Sequence, residues 1–161
     1  MKKFKKFITC GILTCLVCAT AFSTFAAAEN IIINNKKYTI PADMGEIIEK
    51  DERTFVPLRF VTEALNCNVT YDDSSRYAVI ADMTATYMIQ ADSDKLFKIS
   101  DGVNQSKGYR MDTKTFIKEY ENGGRMYIPI RFLAEAMDYT VGWDEESQTV
   151  SMTKNSNELA N

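Results

Sequence analysis

Grouped acidic residues are the first candidates for chemistry in this 161-residue chain. Two carboxylates at a suitable separation can hydrolyse a glycosidic bond, one as the acid and the other as base or nucleophile. Carboxylate oxygens are also the ligands that calcium prefers. The groups are Asp72-Asp73, Asp92 with Asp94, and Asp144-Glu145-Glu146.

The surroundings of these acids argue against both kinds of chemistry. Asp72 and Asp144 fall in predicted hairpin turns, where aspartate is favoured because its side chain accepts hydrogen bonds from nearby backbone amides. A general acid needs a desolvated cleft that raises its pKa, and a turn tip does not supply one. The calcium-loop pattern Asp-x-Asp-x-Asp-Gly is absent from the sequence. We therefore predict no catalytic residue and no metal site.

The chain contains no histidine. A Ser-His-Asp triad, a Cys-His pair and every metal site that needs an imidazole ligand are therefore excluded. We predict that the protein is not an enzyme and uses no cofactor.

Two arginines stand at matching positions of two predicted helices. Glu63 follows Arg59 at the i+4 position, and Glu135 follows Arg131 in the same way, so each pair can meet on one helix face. Each arginine follows an apolar strand and a proline, so it can bond strand carbonyls or face solvent. A structural role is the first interpretation, and Arg59 and Arg131 remain candidate ligand-binding residues.

Aromatic side chains are the other candidates, because aromatic rings recognise sugars and peptides by stacking. Tyr71 and Trp143 occupy matching strand positions, and we expect them in the core. Tyr109 and Tyr120 lie in an apparently irregular stretch, residues 100–124, and are therefore the candidate ligand-binding tyrosines.

The N-terminal segment, residues 1–28, has the pattern of a signal peptide. Residues 1–6 carry four lysines, residues 7–21 are apolar, and Ala26-Ala27-Ala28 predicts cleavage between Ala28 and Glu29. An uncleaved membrane anchor is the alternative, since the apolar segment barely reaches the length of a bilayer span. We expect a secreted protein, extracellular or associated with the cell wall, with no membrane partner after cleavage.

Cleavage at this point would also change the charge and the cysteine content. It would leave 15 basic and 22 acidic residues, a net charge of −7, which disfavours nucleic acid as a partner. Three of the four cysteines lie in the leader, so Cys67 alone would remain. We expect it to be a small buried hydrophobic residue, with a reactive or intermolecular thiol as the alternative.

The elements that hold these residues come from an internal repeat. Residues 53–81 align without gaps to residues 125–153 with nine identities in 29 positions, where composition alone gives roughly two. Each copy predicts a short strand ending at proline, a helix of about ten residues, and a hairpin. Asn66 and Asp138 stand where the helices should end in left-handed conformation.

The repeat predicts an α+β fold, a twisted antiparallel β-sheet packed around two short helices, with pseudo-symmetric halves. A single domain would occupy residues 29–154, with half-repeats at about 31–81 and 87–153. Residues 155–161 are polar, show no periodicity and are expected to form a disordered tail.

The repeated motif resembles the copper amine oxidase N-terminal domain-like family, also called the stalk domain. Gly124-Arg125-Met126-Tyr127-Ile128-Pro129-Ile130-Arg131-Phe132, followed by Val141-Gly142-Trp143-Asp144, is similar to its signature, and Val56-Pro57-Leu58-Arg59 repeats it. The likeness covers about residues 31–153. It implies a non-catalytic module of secreted or surface proteins in Gram-positive bacteria. The family's oxidase chemistry belongs to another domain with histidine copper ligands, so no copper site is expected here.

Together these features favour a secreted, non-catalytic binding or scaffolding module of the cell envelope or extracellular space. Its partner would be an extracellular protein or a cell-wall glycan. One alternative is an accessory or inhibitor protein for another extracellular enzyme. A small carboxylate-dependent glycan hydrolase is the other.

Overall fold

A computed structural model describes residues 30–100 and 106–155. The predicted signal peptide, with its cleavage position, and residues 156–161 of the predicted tail lie outside these described residues. Thirteen strands and two helices make up the described chain. The strands are β1 (Asn30–Ile33), β2 (Lys36–Tyr38), β3 (Ile48–Lys50), β4 (Arg53–Pro57), β5 (Asn68–Asp72), β6 (Tyr77–Ala81), β7 (Ala85–Gln90), β8 (Lys95–Ser100), β9 (Ser106–Arg110), β10 (Phe116–Lys118), β11 (Arg125–Pro129), β12 (Tyr139–Asp144) and β13 (Thr149–Lys154). The helices are α1 (Leu58–Ala64) and α2 (Ile130–Ala136).

The strands form three sheets, which corrects the prediction of one antiparallel sheet, while the α+β class is confirmed. A sheet of four strands has the order β10-β11-β4-β3, and a meander of five has the order β5-β6-β7-β8-β9. The third sheet, β12-β13-β1-β2, contains a parallel pair, because β1 lies beside β13 in the same direction. Parallel pairing joins segments far apart in sequence, so local hairpin patterns could not predict it.

Each copy of the repeat has the predicted local structure. Strands β4 and β11 both end at a proline with φ of −61°, and a seven-residue helix begins at the next residue. The proline fixes φ, and its missing N–H costs nothing at the start of a helix. Both helices stop as expected, at Asn66 with φ of 58° and at Asp138 with φ of 61°.

The two copies meet in the sheet β10-β11-β4-β3, which we call the central sheet. Strands β4 and β11 run antiparallel, with Val56 opposite Ile128. Both side chains are fully buried, as are Val61 of α1 and Leu133 of α2. The helices therefore bury the apolar faces predicted from their spacing, in a single core shared by both copies.

The strands of each predicted half-repeat are divided among all three sheets. β1 and β2 extend the sheet of β12 and β13, whereas β7, β8 and β9 extend the sheet of β5 and β6. The first half therefore adds strands to the sheet that contains the β12–β13 hairpin of the second half. The second half adds strands to the sheet that contains the β5–β6 hairpin of the first half.

Three details concern the remaining sequence predictions. Cys67 is buried as expected, and burial raises the pKa of its thiol to about 11. Asn155, the first residue of the predicted tail, donates a backbone hydrogen bond to Asp138 and accepts one from Thr140. Across residues 30–100 and 106–155, no helix has the length and hydropathy needed to cross a membrane.

Candidate functional site

The two candidate arginines are both exposed on their helices. In the described part of the chain, neither Arg59 nor Arg131 forms an ion pair, either with its i+4 glutamate or with another acid. Both arginines therefore face solvent, the second of the two orientations that the sequence allowed. Their guanidinium groups are free to meet a ligand, and what distinguishes them is the surface around each one.

The candidate Tyr120 is committed to an internal hydrogen-bond network. Its hydroxyl donates to the carboxylate of Glu46 at 2.7 Å and shares a 2.7 Å hydrogen bond with the hydroxyl of Tyr127. The backbone N–H of Glu46 donates to Tyr127 at 3.3 Å, and Lys118 forms an ion pair with Glu46. These bonds fix the connection before β3 against the central sheet, so Tyr120 has a structural role.

Tyr109 lies on a strand, because the stretch predicted to be irregular contains β9 and β10. Its ring is half-buried against the core, and the Lys107 ammonium lies 4.7 Å from the ring centroid. The sequence Ser-Lys-Gly-Tyr-Arg of β9 lacks the apolar alternation that marks a strand, which is why the stretch looked irregular.

The acidic groups are engaged in turns and ion pairs. Asp72 accepts hydrogen bonds from the backbone and hydroxyl of Ser74 and from the hydroxyl of Ser75, and these bonds lower its pKa to about 2. Asp144 accepts backbone hydrogen bonds in the corresponding turn. Asp92 and Asp94 pair with basic residues, Arg76 and Arg110 respectively. A carboxyl with a lowered pKa cannot hold a proton near neutral pH, so Asp72 is unsuited to acid catalysis.

A groove of about 750 Å³ lies between the β3–β4 hairpin and the start of α2, beside β12. One wall is the hairpin, which is rich in charged residues, and the other is largely apolar. We call this feature the hairpin–helix groove. It is lined by Glu49, Lys50, Asp51, Glu52, Arg53, Thr54, Asp112, Pro129, Ile130, Arg131, Phe132, Val141 and Trp143.

An arginine–aspartate pair is held in this groove. Arg53 donates two hydrogen bonds to one carboxylate oxygen of Asp112, at 2.9 Å from Nε and 2.5 Å from Nη2. Hydrogen bonding to Arg53 is the main cause of the lowered pKa of Asp112, and the charge of Arg131 lowers it slightly further. Asp112 is therefore ionised, and its second oxygen makes no hydrogen bond to another of the described residues.

Arg53 has a counterpart in the second copy of the repeat. Arg125 occupies the equivalent position and donates hydrogen bonds from Nε and Nη2 to the backbone carbonyl of Asp43, at 3.2 and 2.7 Å. Each arginine thus fixes the segment that precedes the edge strand of the other copy. Only the pair at Arg53 presents a side-chain carboxylate, which makes the two ends of the central sheet chemically different.

Trp143 lines the groove, which corrects the prediction that it lies in the core. Its side chain is 42% exposed, although it points to the same sheet face as the buried partner Val150. The reason is position, since Trp143 lies near the end of β12, where the core gives way to the groove. The same alternation places Tyr71 against the core, half-buried.

Of the four predicted ligand-binding residues, the structure brings only Arg131 into the groove. Sequence reasoning missed Arg53, Asp112 and the exposure of Trp143. The equivalence of Arg53 and Arg125 was visible in the repeat, but nothing in the sequence pointed to Asp112, which lies far from Arg53 along the chain.

One comparison with known proteins gives a match. The family model described as copper amine oxidase N-terminal domain matches residues 32–152, well over half of the chain. No curated protein and no solved structure matches the chain. The described residues hold no group of three histidine, cysteine or acidic side chains that could bind a metal ion, and the sequence has no histidine. The residues present therefore do not fit a copper site with imidazole ligands.

Proposed function

Because the chain belongs to the copper amine oxidase N-terminal domain family, we propose that it is a non-catalytic extracellular module that binds cell-envelope material in the hairpin–helix groove. The domain for which this family is named is the non-catalytic N-terminal domain of copper amine oxidases, as the sequence resemblance implied. The observation that carries the proposal is the groove itself, in which Arg131 and the exposed face of Trp143 line one concave surface.

The chemistry of the groove supports binding over turnover. Its ionisable groups include no histidine, and the one cysteine of the described residues, Cys67, is buried with a raised pKa, which keeps its thiol protonated and unreactive. The Arg53–Asp112 pair is a charge-balanced unit that can offer and accept hydrogen bonds without reacting. A concave site of this size suits a small ligand or part of a polymer better than a protein surface, because protein interfaces are broad and flat.

The extracellular location in this proposal is inferred from the pattern of residues 1–28. Residues 1–28 carry the basic, apolar and small-residue regions of a signal peptide in the required order. A processed chain would meet envelope polymers directly. Its net charge of −7 would oppose anionic polymers in general, so retention would depend on a specific site.

We also propose that the two copies arose from one duplicated unit and that binding uses the helix of the second copy, α2, and not α1. The repeated elements keep the same order and spacing, and Val56 and Ile128 pair at equivalent positions. The connections before β4 and β11 differ, since the turn between Lys50 and Arg53 is shorter than the connection between Lys118 and Arg125. Arg59 is equivalent to Arg131 but does not line the groove, which provides a matched control.

The test is sedimentation of the processed protein with purified cell walls. We expect the wild-type protein and Arg59→Ala to sediment with the walls, and Arg131→Ala to remain largely in the supernatant. Equal loss in both variants would contradict a single site beside α2. If the wild-type protein does not sediment with the walls and instead binds one extracellular protein stoichiometrically, the proposal is overturned in favour of the accessory or inhibitor role.

A further inference from the structure

We infer that the hairpin–helix groove is a saccharide site, in which an uncharged sugar ring stacks on Trp143 while Arg131 and the free oxygen of Asp112 bond its hydroxyls. This inference rests on the proposed function and adds the class of ligand. It also assigns separate parts to the residues of the groove.

The first argument is the exposed aromatic ring. Trp143 is 42% exposed and is among the few large apolar side chains of the described residues with so much surface in solvent. The apolar wall beside it continues through Phe132 and Val141. One face of a pyranose ring carries mainly C–H groups, and such a face packs well on a flat aromatic ring that is already held in place. Trp143 lies on a paired strand, so its backbone is fixed before a ligand arrives.

The second argument is the pair of polar groups left without partners. Arg131 presents several N–H donors and pairs with no acid of the described chain. Asp112 uses one carboxylate oxygen for both bonds to Arg53, which leaves the other oxygen as an acceptor. A sugar hydroxyl both donates and accepts, so neighbouring hydroxyls can satisfy a fixed donor and a fixed acceptor together. Hydrogen bonds to charged groups are about twice as strong as neutral ones.

The third argument concerns charge. Three basic and four acidic side chains line the groove, and one pair of them is already neutralised as Arg53–Asp112. Two basic residues, Lys50 and Arg131, and three acids of the hairpin wall are the unpaired charges of the groove. A groove so nearly balanced gives no net attraction to a polyanion, and the acidic chain around it repels one. An uncharged saccharide avoids this cost.

The amphipathic lining distinguishes a saccharide from an apolar ligand. The hairpin wall carries the charged residues of β3, β4 and their turn, and the opposite wall carries Ile130, Phe132, Val141 and Trp143. A sugar has the matching division, with an apolar face and a polar rim of hydroxyls. The volume of about 750 Å³ lies within the range of roughly 300–1,000 Å³ typical of small-ligand sites, which suits a short oligosaccharide.

Trp143 also provides the experiment, because it is the only tryptophan in the chain. Its fluorescence reports on the groove alone. We would titrate the processed protein with a tetramer of β-1,4-linked N-acetylglucosamine, with cellotetraose, with an oligouronate of similar length and with a short uncharged peptide. We expect a saturable change in emission with at least one of the uncharged saccharides, and weaker or absent changes with the oligouronate and the peptide.

Variants then separate the residues. Arg131→Ala should weaken saccharide binding about tenfold or more, since it removes hydrogen bonds from a charged donor, and Arg59→Ala should leave binding unchanged. Trp143→Phe should retain part of the affinity and Trp143→Ala should lose it, both followed by calorimetry because the fluorophore is gone. Circular dichroism would check that each variant is folded, as expected for exposed positions.

The outcomes distinguish the two proposals. Stronger binding of the oligouronate or the peptide would overturn the saccharide inference, as would saccharide binding that Arg131→Ala and Arg59→Ala weaken equally. If none of the saccharides binds while wall sedimentation still depends on Arg131, the saccharide inference fails and the proposed function stands. If sedimentation also fails, both fail.

Discussion

Val56 and Ile128 lie opposite one another in the antiparallel pair of β4 and β11, and they occupy the same position in the two copies of the repeat. Both side chains are completely buried in the common core. The contact between the two copies is therefore made by the repeated strands themselves, and each copy covers apolar surface of the other.

Truncation of Ile128 tests whether the two copies fold as one unit. Ile128→Ala should lower the free energy of unfolding by about 2–5 kcal/mol, because it removes buried methyl groups and leaves a cavity. A urea titration followed by circular dichroism should show one transition at a lower midpoint. Thr153→Ala, at an exposed position of β13, is the control and should change stability by less than about 0.5 kcal/mol. Two separate transitions would show that the copies unfold independently.

Glycine is required at position 45, both because of the backbone conformation there and because neighbouring atoms leave no room for a side chain. Its φ is 105°, and a Cβ there would lie 2.5 Å from the Tyr127 hydroxyl oxygen. Gly123 has the same φ of 105° but no contact closer than 3.7 Å. We expect Gly123→Ala to cost about 1–3 kcal/mol from backbone strain alone. Gly45→Ala should cost at least about 1 kcal/mol more in urea titrations, because the hydroxyl network is also displaced.

A double-mutant cycle isolates the contribution of that hydroxyl. In the Tyr127→Phe background the oxygen that meets the new Cβ is absent, so Gly45→Ala should cost little more than Gly123→Ala. An unchanged cost in that background would mean that the Tyr127 hydroxyl contributes nothing, and that the cost arises from φ and from the other neighbours, Pro57 and Tyr120.

The Asp72 turn predicts a pH dependence with a defined sign. The hydroxyl and backbone of Ser74, with Ser75, lower the pKa of Asp72 to about 2 in the folded protein. The unfolded carboxyl has a pKa of about 3.9. Its contribution to stability is therefore complete above about pH 4 and is lost as the pH falls toward 2. Carboxyl NMR titration should give the low value, and Ser74→Ala should raise it. The pKa of Asp144, in the corresponding turn, should not change in that variant.

Cys67 should be unreactive until the protein unfolds. Burial raises the pKa of its thiol to about 11, so at pH 8 only about one thiol in a thousand is ionised. A disulfide reagent such as Ellman's should react at least about 100-fold more slowly with the native protein than with protein in concentrated urea. Fast reaction of the native thiol would instead support the alternative of a reactive cysteine.

The local structure of the repeat was predictable from the sequence because its signals are short-range. A proline after an apolar strand, apolar residues at helical spacing, and Asn66 or Asp138 at the helix end each act over a few residues. The β1–β2 and β7–β8 hairpins depend on equally local signals, since a short polar turn joins two strands that are neighbours in sequence.

The arrangement of the sheets was not predictable in this way. All the strands share the same alternation of side chains between two faces, so nothing in β1 marks β13, at the other end of the described chain, as its partner. The groove depends on such long-range placement, because Arg53, Asp112 and Trp143 come from three separate segments. Trp143 also shows the limit of periodicity. The alternation of residues predicts the face of the sheet to which a side chain points, but not whether the core covers that face as far as the end of the strand.

The pairing of β1 with β13 imposes an order on assembly. β1 can pair with β13 only after β13 has been synthesised, so the side of β1 that does not face β2 lacks its partner strand until residues 149–154 have been made. The sheet β12-β13-β1-β2 therefore cannot be completed by hairpins alone, and its formation waits for two segments that are separated by more than 100 residues.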